Sequence, residues 1–488
     1  MLNLFFVIVL IMFTGLAVDV ASLTAAKTQL QVAADAAGHA ALYKRKSMEA
    51  TEAKAEAVKI ARANMPVSVY GDVLRTSHIH FGTYDQATKN FTIDDTSSDA
   101  VLVKTSRLAA NSNPVSSFLL QFVGFWNWDV RAEAVFVRPP LPCASEGFYA
   151  VERVDMQSNN GFYNDFCVHS DAQVEFNQNN FFDVDNGVRV SAPSYDYITV
   201  PGGDFSNNTG LYEARREGGP HYFNVDEYIS EIMAGLEAPT SDHFRTYVTN
   251  SAVLDVTPGG GGGSVQATRN KSHKNNGSTG NGNGNGNGNG NSGGDTGGDT
   301  GGDTGGDTGS DPGDTSGSNG NGGGNKSGLS MSDLTEGRIH RVTCSGGDLD
   351  VEGEVFRNVV VITDCNFNFS NGSALENATF ITESTDDRSI KAPQGLRIGR
   401  DDNCAYDGGA QLISRGGMRT AAKLQLYGGQ IIVAGDLNFA AQGNGFGGAS
   451  VIAGGEIDGT SNSDMGLCDG GAGMEDIFIA KARPRMVN

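Results

Sequence analysis

The chain has 488 residues, enough for two or three domains, with 57 acidic against 35 basic side chains and a formal net charge of −22. Binding along a phosphate backbone needs clustered Lys and Arg, so this balance argues against nucleic acid as a partner and favours solubility. There is no Ser nucleophile elbow, no H-E-x-x-H and no phosphate-binding glycine loop, so the common hydrolase and nucleotide-binding signatures are missing.

Residues Met1 to Val18 carry no charged side chain, and Leu4 to Phe13 form an apolar run. A bilayer core of roughly 30 Å needs about 17–25 helical residues, so a transmembrane anchor over residues 1–18 is expected at the short end of that range. A cleaved signal peptide is the rival reading. No Lys or Arg precedes the run, and Gly15-Leu16-Ala17 would be its small-residue site. The first basic residues, Lys27 and Lys44-Arg45-Lys46, follow the run, and a literal positive-inside count would place the bulk of the chain in the cytoplasm. Leu16, Leu23, Leu30 and Ala37 then recur every seven residues, with Val20, Ala34 and Ala41 on adjoining rows. This narrow stripe predicts a helix continuing beyond the anchor through Arg62 and stopping before Pro66. The stripe packs either on the protein's own domain or against another subunit.

Gly15-Leu16-Ala17-Val18-Asp19-Val20 and Leu30-Gln31-Val32-Ala33-Ala34-Asp35-Ala36-Ala37 resemble the amino-terminal signature of the TadG-like (TadE/TadG) proteins of Flp, or tight-adherence, pilus machinery. Gly15, Asp19, Leu30, Gln31, Ala34, Asp35 and Ala36 carry the match. His78 to Asp85, Asp99 to Val103 and Val130 to Val135 extend it to about residue 140, as strands with one buried face. The resemblance implies a single-pass protein of the bacterial inner membrane with its bulk in the periplasm. Its partners would be pilus or pilus-assembly subunits and inner-membrane lipid, with peptidoglycan or surface polysaccharide as further candidates. Such a protein would act by binding and positioning, without turnover or cofactor. Many TadG-like proteins carry a von Willebrand A domain with a D-x-S-x-S metal site. Asp94-Asp95-Thr96-Ser97-Ser98 has the wrong spacing, so that function is not carried over.

The six cysteines, Cys143, Cys167, Cys344, Cys365, Cys404 and Cys468, include no C-x-x-C pair, which disfavours zinc and thioredoxin-like chemistry. An even number suits an oxidising periplasm. We expect Cys143 to pair with Cys167 and the other four to pair among themselves, in one of three ways.

Residues 141–257 are read as a β-rich domain. Strand-like segments lie at Phe166 to Val168, Val174 to Phe176 and Val188 to Val190 without a firm period, and a short helix spans Asn224 to Gly235, with Tyr228, Ile229, Ile232, Met233 and Leu236 on its apolar face. Residues 258–328 abandon apolar patterning for Gly, Asn-Gly and Gly-Gly-Asp-Thr runs. Such a composition is too poor in apolar surface to offset ordering entropy, and reads as a disordered tether spanning roughly 45–50 Å. Asp295, Asp299, Asp303 and Asp307 raise calcium binding but lack the nonapeptide pattern of calcium β-rolls.

Residues 329–488 repeat. Phe356 to Thr363 returns as Leu375 to Thr382, Gln411-Leu412-Ile413 as Gln430-Ile431-Ile432, and Ile432 to Gly435 as Val451 to Gly454, each at an offset of 19. A fixed period near 20 with Gly and Asn turns predicts a parallel β-helix or related solenoid. Asn358 over Asn377 suggests a polar ladder at a turn, and the interval 383–409 is expected to hold a loop carrying Cys404. The expected fold is therefore an α+β N-terminal part, a long membrane-anchored helix plus strands, followed by a mainly-β C-terminal solenoid.

Glu352, Glu354, Asp401 and Asp402 are candidates for a glycosidase-type carboxylate pair, and His78 with His80 for metal ligands on one strand face. Neither set has a supporting constellation, so no catalytic, cofactor or metal residue is assigned. Trp126 and Trp128 fit core packing or an interface. The rival functions are an exported β-helix adhesin or polysaccharide-binding surface protein, and a carbohydrate-active enzyme.

Overall fold

The first helix, α1 (Leu2–Lys44), is 43 residues long, about 65 Å at 1.5 Å per residue. Its Leu30, Ala33, Ala34, Ala37, Ala41 and Leu42 are fully buried, against Ala53, Ala57, Val58 and Ala61 of a second helix, α2 (Ala50–Asn64), and against Val101, Val103, Ala134 and Phe136 of a sheet. Alanines dominate both helix faces, so the backbones approach closely. At Gly38 a Cβ would lie 2.7 Å from the Phe136 ring, so only glycine fits without displacing it. The apolar stripe thus packs on the protein's own domain. Leu16 and Val20, at its N-terminal end, are exposed. The expected single helix to Pro66 is instead an antiparallel pair, because the alanine face of α2 must fold back to cover that of α1.

The computed structural model describes residues 2–46, 48–139, 141–145, 147–258, 328–344, 347–402, 405, 407–440, 443–459, 462–468, 480–481 and 484–487. Among the described residues no helix is long and apolar enough to cross a membrane. Most of the expected anchor at 1–18 falls on Met1 and on the side chains of residues 2–12, which lie outside that description. The expected tether, from 259 to 327, lies outside it too, with its four aspartates.

The sheet beneath α1 is antiparallel, in the order Asn90–Ile93, Ile79–Asp85, Ala100–Arg107, Val130–Val137 and Arg485–Met486. Its last strand comes from the far end of the chain.

From Gly147 to Gly466 the strand pairing is parallel, in a 17-stranded and a 9-stranded sheet. Successive strands Gly429–Val433, Leu437–Phe439 and Gly443–Gly447 each lie beside their counterparts one turn earlier: Gln430 beside Gln411, Leu437 beside Met418, and Phe446 beside Leu426. Alternate side chains such as Leu412, Met418, Leu426, Ile431, Val433 and Leu437 fill one core.

The expected offsets hold at Phe356 with Leu375 and at Gln411 with Gln430. The third does not: Ile431 pairs with Val451 and Ile432 with Ile452, an offset of 20. The extra residue falls between Phe439 and Phe446, since Thr420 pairs with Phe439 at 19 but Leu426 with Phe446 at 20. Ala378 pairs with Ala410, so the interval between the repeat groups holds an insertion; its Cys404 lies outside the described residues.

The stretches before and after the Gly-rich segment share their sheets. Phe148 pairs with Val451, Val154 with Ile457 and Phe162 with Met465. From there the pre-linker turns continue the stack, with Val168 beside Phe148 and Val190 beside Val168. At the opposite end Leu254 pairs with His340, and Leu329 bridges Val351. The described residues on both flanks of 259–327 therefore border one and the same turn, His340 to Val351, and the post-linker half does not hang from a tether.

The helix Val225–Leu236 is capped by the Asn224 side chain, which accepts from the Glu227 amide at 3.1 Å. Its Tyr228, Ile229, Ile232 and Leu236 cover an outward column of the post-linker turns, Val360, Ile362, Ile381, Ile413, Ile432 and Ile452.

Candidate functional site: the signature helix and the open sheet face

Asp19 is buried, and its carboxylate accepts backbone N–H groups from Phe118, Leu119 and Leu120, the last two at 3.0 and 2.6 Å. Burial alone would raise its pKa, but the three amide donors outweigh it and hold the carboxyl below the usual range. A Cβ on Gly15 would sit 3.1 Å from Leu119 Cβ, so the small residue lets the same loop close on the helix. About three helical turns further on, Gln31 Nε2 donates to Asp35 Oδ1 at 2.8 Å and to the Glu133 carbonyl at 3.0 Å. Leu30 and Ala34 are buried, and Asp35 and Ala36 half-buried. The signature residues thus serve to fasten α1 to its sheet and to the 118–120 loop.

Between α1 and the sheet edge opens a groove of about 720 Å³, lined by Lys27, His78, Lys104, Arg131 and Glu133 among others. It is locally basic in an acidic chain. His78 closes a short 3-10 turn and His80 is the second residue of the next strand, Ile79–Asp85; among the described residues they join no metal-type cluster.

The nine-stranded sheet presents an uncovered outer row in register: Asp350, Asn368, Lys391, Arg419, Asn438, Asp458, Asp155 and Glu175. A groove of about 260 Å³ crosses it beside Arg388, Arg419, Asp436, Asn438, Glu456 and Asp458. Burial and the neighbouring Asp155 and Glu456 carboxylates push Asp458 up, with Arg153 opposing. The row mixes donors and acceptors: Lys391 and Arg419 stand side by side, Asp458, Asp155 and Glu175 make an acidic end, and Asn368 and Asn438 donate to Asp350 and Asp458 at 2.7 and 2.9 Å.

Sequence reasoning missed two buried clusters. Asp171 accepts from Tyr149 Oη (2.8 Å), His169 Nε2 (3.1 Å) and the amides of His221 (2.9 Å) and Tyr222 (3.1 Å), two donors on each oxygen. Ser191 Oγ contacts His169 Nδ1 at 2.7 Å. The contact order is that of a Ser-His-Asp relay, and His169, Asp171 and His221 are grouped closely enough for a metal. The carboxylate's acceptor positions are already filled, however, and the His169 ring is fully buried, so the cluster reads as a polar brace. Glu376 is the second, held by Arg397 (2.7 Å), Arg357 (2.9 Å) and Arg400 (3.4 Å). Burial raises its pKa, but the arginines prevail and keep it below the usual range.

Three of the four candidate carboxylates bind local backbone amides. Glu352 and Glu354 accept the Gly328 and Met331 amides, and Asp402 accepts the Ala405 amide. Asp401 is exposed. The Asn358 and Asn377 amides do not form the expected ladder. Both sit at positive φ, 52° and 46°, and bond instead to Glu336 and to the Gly408 amide. A ladder does form among the pre-linker turns, where the Asn160 amide donates to Asn180 Oδ1 and the Asn180 amide to Asn208 Oδ1, both at 2.9 Å. Cys143 bonds Cys167, and Cys344 bonds Cys365; Cys468 is also disulfide-bonded. Trp128 packs partly into the N-terminal core, and Trp126 is exposed.

A family model described as Domain of unknown function (DUF7867) matches residues 147–284 and 313–469, on both sides of the Gly-rich segment. A model described as Flp pilus-assembly TadE/G-like matches residues 2–55. No curated protein and no solved structure matches the chain.

Proposed function

The chain belongs to the DUF7867 family, and we propose that it is a non-enzymatic, membrane-tethered periplasmic protein of Flp pilus assembly that works by binding and positioning. Its TadE/G-like segment ties it to Flp pilus assembly. The uncharged run 1–18 would be the single-pass anchor, and the parallel stack a β-solenoid that presents surfaces to pilus subunits. The observation that carries this reading is mechanical. Arg485–Met486 pairs with Val130–Val137, and Lys481 Nζ meets Asp99 Oδ1 at 2.6 Å, so the C-terminal end of the chain is fastened to the sheet on which α1 packs. A position imposed on α1 is thereby passed to the C-terminal end of the chain. A clean in-frame deletion, scored by electron microscopy and by surface attachment, tests it. Loss of both pili and attachment is expected; normal pili would sink the assembly role.

A second reading, an adhesin or polysaccharide-binding surface protein, is favoured by the uncovered polar row from Asp350 to Glu175. Intact pili with weak attachment, together with protease accessibility on whole cells, would support it. Peptidoglycan and surface polysaccharide are the ligands to try first.

A further inference from the structure

We propose that the loop from Phe118 to Trp126 is a membrane-interface wedge, clamped to α1 at Gly15 and Asp19. The proposal rests on the single-pass reading above and deepens it, by assigning the lipid contact to a second segment about 100 residues along the chain.

The loop is closed at its base: Val115–Ser116 pairs with Asn127–Trp128, and the Ser117 amide donates to the Trp126 carbonyl at 3.0 Å. On this stalk Phe118, Phe122, Phe125 and Trp126 are 65, 82, 61 and 64% exposed. Four large aromatics left in water on one short loop are costly unless something covers them. They could be covered by lipid or by protein, and three observations favour lipid. The clamp holds the loop where the uncharged run 1–18 ends, and Phe13, Leu16, Val18 and Val20 of α1 are exposed apolar side chains at the same level. Asp19, the first charge of the chain, is turned inward onto three amides, so it sets no bare carboxylate at that level. Lys27, eight residues on and about 12 Å along the helix, opens the basic groove with Lys104 and Arg131, at the height of lipid phosphates. Aromatics at the hydrocarbon boundary with cations just outside it are the side-chain order of a membrane interface.

The test uses the full chain in vesicles of phosphatidylethanolamine and phosphatidylglycerol, with Trp128→Phe so that Trp126 is the sole emitter. Retention after alkaline carbonate washing is scored first. Retained protein whose Trp126 emission shifts to the blue, is quenched by acyl-brominated lipid and resists aqueous iodide supports the wedge. Asp19→Ala should then lose most of the bromolipid quenching while retention and the circular dichroism spectrum stay unchanged. Retained protein with iodide-accessible Trp126 overturns the wedge and leaves the anchor standing. Protection that appears only in native membranes, and not in pure vesicles, overturns it in favour of a protein partner. Failure of retention overturns the anchor and the wedge together.

Discussion

The turns before and after the Gly-rich segment follow one plan but are finished differently. The earlier turns, Gly147 to Glu217, bury phenylalanines 148, 162, 166, 176 and 182 and fix one corner with the Asn160, Asn180 and Asn208 ladder. The later turns bury more aliphatic residues and leave a second apolar column facing outward, from Val360 to Ile452. That column is covered by Val225–Leu236, a helix encoded before the segment. The difference shows that neither half is complete: the later half lacks its cover, and the earlier half lacks a neighbour for Phe148.

The largest effect should come from breaking that junction. Phe148→Ala removes a fully buried ring facing Val451 and should cost about 3–5 kcal/mol. If the halves form one cooperative unit, denaturant melts monitored before and after the segment will shift together. Separate transitions would restore two domains.

Acid probes cover and stack at once. Burial lowers His243, in the segment after the covering helix, to about 4, helped by Arg245 and Arg138, and lowers His340, in the later turns, to about 4. His340 Nε2 accepts the Thr335 amide at 2.9 Å, which requires the neutral ring. Folded values below the ordinary 6.5 mean that the stabilisation is complete above pH 6.5 and is lost as pH falls from there towards 4. Each group contributes about 3 kcal/mol over that window. Urea midpoints measured from pH 7 to 4 should fall, and His340→Gln should flatten part of the slope.

A smaller effect is expected within the later half. Gln411 Nε2 donates to Gln430 Oε1 at 2.6 Å, and Gln430 Nε2 to Ser450 Oγ at 2.9 Å, all buried. Gln430→Leu strands the Gln411 Nε2 donor, while Ser450 Oγ keeps its bond to the Ala144 carbonyl, and should cost about 1–3 kcal/mol by thermal melting. The smallest belongs to the surface pair that fastens the C-terminal end of the chain to the sheet: Lys481→Ala should cost at most about 1 kcal/mol and less in high salt.

Local features were legible in the sequence. The Leu30, Ala34, Ala37 and Ala41 stripe packs as its helical period requires, the Tyr228 to Leu236 face is buried as spaced, and the Phe356 and Gln411 offsets are true registers. Pairings that join distant segments were not. Val451 beside Phe148 leaves no periodic trace, because it joins the end of the later half to the start of the earlier one across 303 residues, as do the side-chain bonds at the same junction. The return of α2 was hidden by its alanines, which favour helix equally well in one piece or two. At the candidate site, Asp19 and Gly15 could be named from the resemblance, but their common partner, the loop at Phe118 to Leu120, has no local sequence link to α1.

The junction of Ser463 with Asn160 spans 303 residues, and this sets an order of events. A chain emerging N-terminus first presents the Gly147 strand long before Ser450 arrives beside it. At synthesis rates of about 5–20 residues per second the wait is roughly 15–60 s. Throughout that time a row of unpaired N–H and C=O groups stands open, as ready to accept the strand of a second copy as its own. On the periplasmic reading proposed above, a holdase on that edge, or a delay in folding until the last turn has crossed the membrane, would keep it from pairing with a second copy.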